Sequence, residues 1–499
     1  METDAERLRD GARLETDLCI IGTGPAGITV ARELQDDRID MLLLESGGWN
    51  AEDWPQSLNE GAVRGDVYAG LRSTRHRQIG GTTALWNTPG EHGRNAKYVP
   101  LDPADLDAWP IRWADLLPFY EQAQRLAGLG PFRYEGTDWI GAGATPLDLG
   151  SGALTSRVYQ FGPSRAVVGD PLSELRRKPN VRLCYHATVV ALSTDPGGER
   201  VTEARIRCRT GQEISVRARA FVLAAGAIEN ARLLLVSSLG NRSGWVGRSF
   251  MEHPRDRGVM STTSPWLDRL TFYDSRQMPG GFQVGGRLAP VETALRERSL
   301  PGFSVTVLPI LRASPAAPGV VRRAVRRLRR IVYPPPSAGY GWSRVSRPER
   351  WFEGVGLLLN LEQRPHPENR VVLGSDTDAL GVPRAELAWR WRPEDQAGLT
   401  QCRTLVSEAL EAGGVGLAHF DPSASPDPNA HHHAGTTRMS GDWQEGVVDS
   451  NERVHGTENL YVTGSSVFPT AGFANPTLTI LALSARLAGH LRGLLVPGP

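Results

Sequence analysis

At 499 residues the chain is long enough for two or three domains. About 40% of it is hydrophobic and 22% charged, and its net charge of +1 excludes a global field that would attract nucleic acid or membrane surfaces. Its four cysteines, Cys19, Cys184, Cys208 and Cys402, form no CxxC pair, so they read as buried thiols of a reducing compartment, without disulfides or a metal site. The polar start METDAERLRDGARLETD has no secretory character. No run of about 18 apolar residues predicts a transmembrane segment. The expectation is a cytoplasmic protein.

The elements follow in chain order. Asp17 to Ile21 (DLCII) is a short apolar run ahead of glycines, residues 25–35 have helical spacing, and Ile39 to Leu44 is a second buried strand ending at Glu45. That βαβ unit of roughly 30 residues predicts a parallel sheet. Residues 50–100 read as loops, and 113–127 as a helix. Residues 181–192 (VRLCYHATVVAL) predict one strand and 220–226 (AFVLAAG) another, with a charged hairpin between them. From 255 to 425, short strands alternating with Pro-rich turns predict a second, sheet-containing domain. Within it, residues 320–332 carry Arg322, Arg323, Arg326, Arg327, Arg329 and Arg330. Such a run reads as a solvated helix face or lid edge, or else as a surface for an anionic substrate, a partner or a membrane. Asn459 to Thr463 is a strand, and Thr477 to Leu495 has helical periodicity. No internal repeat occurs.

Gly22-Thr-Gly24-Pro25-Ala26-Gly27 follows the first strand and opens the first helix. The first glycine permits the tight turn, the second lets a pyrophosphate approach the backbone, and the third lets helix and strand pack closely. The helix N-terminus then faces the phosphates. Glu45, at the end of the second strand, suits the ribose hydroxyls of an ADP moiety. A second such fingerprint is missing, so a further NAD(P)H domain is not expected.

Gly80-Gly-Thr-Thr-Ala-Leu-Trp-Asn87 resembles the loop beside the flavin in glucose-methanol-choline (GMC) oxidoreductases, and Phe221-Val-Leu-Ala-Ala-Gly-Ala-Ile-Glu229 resembles that family's second glycine signature. The block His432-His-Ala-Gly-Thr-Thr-Arg-Met439, then Asn459 to Thr470, then Asn475-Pro-Thr-Leu-Thr479 looks most like the bacterial branch near pyranose oxidases and fructose dehydrogenases. Beyond Glu252-His-Pro254 and Glu362-Gln-Arg-Pro365, the middle of the chain matches weakly. The resemblance implies an α/β enzyme with a discontinuous Rossmann-like FAD domain, about 1–96, 180–257 and 428–499. A substrate domain of about 97–179 and 258–427 would roof the flavin with an antiparallel or mixed sheet, where Trp342, Trp351 and Phe352 are candidate pocket residues.

The same resemblance implies the site. The H-x-x-G-T register selects His432 as the base, with Asn475 as its partner. Cofactor contacts fall on Gly22, Gly24, Pro25, Ala26, Gly27 and Glu45, on Gly81, Thr82 and Asn87, and on Val189, Ala225 and Gly226. Gly464, Ser465, Asn475, Pro476 and Thr477 complete the set. Leu85 stands where fungal pyranose 2-oxidases carry a flavin-linked histidine, so the FAD is expected to be non-covalent. Asn475 is expected to cap the last helix, with Pro476 in its first position and the amides of Thr477 and Leu478 facing the flavin. The implied reaction is oxidation of a sugar, cyclitol or polyol hydroxyl, with oxygen, a quinone-like molecule or a protein as electron acceptor. Oxidation of a non-sugar alcohol, or a flavin-bearing lyase, are the alternatives.

Overall fold

The computed structural model describes residues 1–87, 95–140, 144–150, 152–262, 266–312, 342–344 and 351–496. The arginine-rich run 320–332 lies outside them. The first sheet carries parallel strands in the order Glu2–Asp4, Val181–Tyr185, Met41–Leu44, Arg13–Ile21 and Glu213–Leu223. Leu460–Val462 joins in parallel beside the last residues of Glu213–Leu223. The first residues of that strand pair antiparallel with Val201–Arg207, which pairs in turn with Thr188–Thr194. Met41–Leu44 (MLLL) is buried at every position, as a parallel sheet covered on both faces requires. Helix Pro25–Leu34 makes the crossover between Arg13–Ile21 and Met41–Leu44.

Helix Thr477–Leu495 occupies the expected residues and packs between Pro25–Leu34 and Trp113–Leu126. It is long and apolar enough to cross a membrane, but most of it is buried within the fold, which is how a core helix behaves. All four cysteines are free and buried.

The structure departs from the expected elements in several places, and residues 50–100, expected as loops, include the short helix Asp53–Ser57 and the strands Val63–Gly65 and Asn95–Tyr98. The run 181–192 is two strands, because His186 adopts φ +52° and its ring is held by Asp4 at 3.0 Å and Glu52 at 3.2 Å. The charged hairpin contains the strand Val201–Arg207, whose inward residues are Val201, Ala204 and Ile206; the charges between them hide the alternation. The middle region holds a 20-residue helix, Pro393–Ala412. Its proline reads as a turn residue in the sequence, but it sits at the first helical position, where a missing N–H costs nothing.

The second sheet is antiparallel throughout, one of the two forms expected. Its order is Gly416–Phe420, Arg255–Thr262, Phe352–Leu361, Phe303–Leu311, Gln283–Pro290, Leu154–Pro163 and Asn95–Tyr98, with Arg276–Gln277 beside Gln283–Pro290. A three-stranded ribbon, Arg370–Thr377, Pro383–Trp389 and Val63–Gly65, completes the strands among the described residues.

Candidate active site

The parallel strands Arg13–Ile21, Met41–Leu44, Glu213–Leu223 and Leu460–Val462 all release their chains at one edge, into Gly22, Glu45, Ala224 and Thr463. Ligands bind at such carboxyl ends in open α/β sheets. A cavity of about 650 Å³ lies there. Gly22, Gly24, Pro25, Ala26, Glu45, Gly81, Thr82, Val189, Ala225, Gly226, Gly464, Ser465, His432, Asn475, Pro476 and Thr477 all line it. Gly27 does not: a Cβ there would come 2.1 Å from the Gly22 carbonyl oxygen, so this glycine serves helix–strand packing. The side chain of Asn87 lies outside the described residues.

Side chains lock these loops together. The Thr23 hydroxyl donates to Glu45 Oε2 at 2.6 Å and accepts from the Gly80 amide at 3.2 Å, tying the fingerprint to the next glycine loop. The Gly47 amide donates to Glu45 Oε1 at 3.1 Å. Burial raises the carboxyl pKa of Glu45, while these donors pull it back down. Asn230 accepts from the Ala225 amide at 2.9 Å and donates to Ser466 Oγ at 3.0 Å, joining the second glycine signature to the loop after the last strand.

FAD fits what this wall offers. A Cβ on Gly24 or Gly226 would meet no protein atom within 4 Å, so backbone faces the cavity there without a side chain in the way. Helix Thr477–Leu495 begins on the cavity wall with no side-chain cap, leaving N-terminal amides for an electron-rich group. The expected cap is corrected: Pro476, not Asn475, occupies the N-cap position. The carboxamide of Asn475 instead turns toward histidine.

His432 is the ring that Asn475 meets, with Nδ2 at 3.2 Å from His432 Nε2. Burial holds His432 well below the usual histidine range, and His253, Arg255, Lys97 and His433 add to the effect. The ring is therefore neutral near neutrality, as a base must be. Its neighbours also line the cavity but meet other partners. His433 Nε2 is 2.9 Å from the Tyr68 hydroxyl and 3.4 Å from Glu252 Oε1. His431 lines the cavity, with its backbone at φ +59°.

Several residues at this end of the cavity carry no strong sequence signal. Glu252 is fully buried and accepts from the Tyr68 hydroxyl at 2.5 Å and from the amides of His253 and His432, each at 3.1 Å. Burial pushes its carboxyl up to about 7 against those donors. The Glu252-His-Pro254 run was the available hint. A second cluster joins Arg75, Arg77 and Arg232 to Glu229 at 2.7, 2.6 and 3.4 Å, and Arg232 also meets Asp378 at 2.5 Å. Despite burial, the arginines hold the Glu229 carboxyl far below its ordinary value. Trp342 and Phe352 are buried in the core, and Trp351 packs against it. None of the three lines the cavity; Trp86 and Leu85 do.

Comparison with known proteins decides the family. Residues 160–255 and 365–484 match the N-terminal and C-terminal parts of the family described as GMC oxidoreductase. The chain belongs to the GMC oxidoreductases. It is an FAD-dependent enzyme that acts on alcohols. This GMC enzyme is 26% identical to the 6'''-hydroxyparomomycin C oxidase of Streptomyces lividus, over 95% of this chain and 92% of the relative. It is 27% identical to the fructose dehydrogenase large subunit of Gluconobacter japonicus, over 62% of this chain and 54% of the relative. A crystal structure of formate oxidase shares the fold, with a TM-score of 0.57 and 16% identity, over 98% of this chain and 99% of that one.

Proposed function

We propose that the protein oxidises a hydroxyl of a sugar, cyclitol or polyol to a carbonyl, with His432 as base and Asn475 as its hydrogen-bonding partner. The observation that carries this reading is the 3.2 Å contact between His432 Nε2 and Asn475 Nδ2 on the cavity wall. The choice of a sugar-like alcohol follows relatives such as the fructose dehydrogenase subunit. An alcohol proton is very weakly acidic, so a base must take it as the carbinol hydrogen leaves. His432 Nε2 receives that proton, and the Asn475 carboxamide fixes the same oxygen. FAD, when bound, accepts the carbinol hydrogen as hydride. Gly24, Gly226, Glu45 and the start of helix Thr477–Leu495 are the groups that hold it. In this reading the FAD domain comprises 1–96, 180–257 and 428–499, and the substrate domain 97–179 and 258–427.

The test is anaerobic mixing with a panel of sugars, cyclitols, polyols and simple alcohols, read as loss of flavin absorbance. The expected result is bleaching by a polyhydroxylated substrate. His432→Ala should keep FAD but reduce it roughly 10²–10⁴ times more slowly, the usual worth of a positioned base. Asn475→Ala should fall between, and His431→Ala and His433→Ala should lose much less. Normal reduction in His432→Ala refutes the assignment. Turnover of a substrate without bleaching points to a lyase.

A further inference from the structure

The two nitrogens of His432 face different neighbours. Nε2 lies 3.2 Å from Asn475 Nδ2, and Nδ1 lies 2.9 Å from His253 Nδ1. A carboxamide nitrogen only donates, so Nε2 presents its lone pair to it. A neutral imidazole has a single ring proton. That proton then belongs on Nδ1, where among the described residues the acceptor offered is His253 Nδ1 at 2.9 Å. For His253 to accept there, its own proton must sit on Nε2. Burial lowers the pKa of the His253 ring, backbone groups of Ala471 and Gly472 offset part of that, and Nε2 has no hydrogen-bond partner among the described residues. The rings stand nearly perpendicular, at 80°, with centroids 5.1 Å apart.

The chain around this pair is fixed. Glu252 Oε2 accepts the backbone amides of both His253 and His432, each at 3.1 Å. Met251 and Ala434 form a bridge beside them. Both imidazoles therefore hang from segments that one carboxylate binds together. Arg255, Lys97 and His433, with burial, disfavour a cation on His432, and burial likewise lowers the His253 ring to about 4. Two neutral rings sharing one Nδ1–H···Nδ1 bond satisfy these conditions.

We propose that His253 is a positioning residue that selects the Nδ1–H tautomer of His432 and so keeps Nε2, which faces Asn475 Nδ2, unprotonated as the acceptor for the substrate's hydroxyl proton. This rests on His432 being the base. In the resulting step the O–H proton goes to Nε2, and the carbinol hydrogen leaves with its electron pair for FAD. The alcohol is oxidised and the flavin reduced. Without an acceptor at residue 253, Nδ1–H becomes a buried unpaired donor. The ring then favours Nε2–H, which cannot accept the proton.

The experiment uses FAD-loaded enzyme with ring-¹⁵N-labelled histidine. Two-bond ¹H–¹⁵N correlations read the tautomer, and the His432 signal is assigned by its loss in His432→Gln. Wild type and His253→Asn, whose Oδ1 stands where Nδ1 stood, should both show Nδ1–H. His253→Leu should switch His432 to Nε2–H and reduce flavin at least roughly 10-fold more slowly, towards the ~10⁴ lost with a wrong tautomer in a serine protease. His253→Asn should stay near the wild-type rate. An Nε2–H pattern in wild type, or an unchanged tautomer in His253→Leu, overturns the proposal. If His253→Leu fails to hold FAD, the wild-type and Asn spectra decide in the same way. Wild-type reduction by His432→Ala would refute the base while leaving the tautomer intact. A reversed tautomer alongside a slow His432→Ala would refute only the role of His253.

Discussion

Replacing Gly24 by valine should separate binding from folding. Its backbone is extended, at φ −70° and ψ −176°, and a Cβ there meets no protein atom within 4 Å. Flavin-free Gly24→Val should therefore keep wild-type stability within about 0.5 kcal/mol, as substitutions without a packing clash do. The added methyls project into the cavity where the cofactor's phosphates need bare backbone. Gly27→Ala is the contrast. Its Cβ would lie 2.1 Å from the Gly22 carbonyl oxygen, an atom held in the turn that cannot swing aside like a side-chain end. Overpacking typically costs 1–3 kcal/mol, and for a backbone clash this close the expectation is about 3 kcal/mol or more. Thermal unfolding with and without FAD reads both effects. Wild type gains about 2.7 kcal/mol from ligand at a hundredfold excess over Kd; Gly24→Val should lose that gain and purify with little flavin. Full FAD occupancy in Gly24→Val, or an apo protein as damaged as Gly27→Ala, would refute this reading of the fingerprint.

The rate of flavin reduction relative to substrate concentration should rise with pH only below the usual histidine range, and be flat through neutrality. The proposed base His432 would act when unprotonated and is held well below the usual histidine range; a limb centred above 6.5 in stopped-flow data contradicts this. Glu229→Ala should destabilise the protein by about 3–5 kcal/mol, because it leaves the buried Arg75 guanidinium without its carboxylate and takes one partner from Arg77 and from Arg232, which keeps Asp378. Glu229→Gln should cost less, since it keeps the shape, and denaturant unfolding measures both. Acid precipitation should leave flavin in the supernatant, since Leu85 offers no nucleophile; yellow colour retained in the pellet refutes non-covalent binding.

Much of the cofactor wall was legible because its requirements are local. A glycine turn after an apolar strand, an acid at the end of the next strand and a proline before a helix each leave a mark within a few residues. The supporting shell is legible only in three dimensions. Tyr68 and Glu252 are 184 residues apart yet share a 2.5 Å hydrogen bond, and Arg75 meets Glu229 across 154 residues. No local pattern encodes such a meeting. The cap at Asn475 was misplaced for a related reason. The residue type suits an N-cap, but the His432 ring competes for its carboxamide, and Pro476 takes the cap position.

Three consecutive histidines are turned towards different partners by the backbone conformation. An extended run would alternate its side chains, turning residues 431 and 433 one way and 432 the other. His431 at φ +59° breaks that run at its first residue, a conformation rare for a residue with a side chain. Beyond the break, His433 turns towards Tyr68 and packs against Phe250, and its Nε2 is occupied by the Tyr68–Glu252 pair. His432 turns the other way, onto Asn475 and His253. Glu252 binds both outcomes together: its Oε1 lies on the His433 side, and its Oε2 holds the His432 amide. One buried carboxylate thus holds the His433 ring and the His432 backbone in a fixed register. Of the three rings His432 is the one that meets Asn475, the contact on which its proposed role rests.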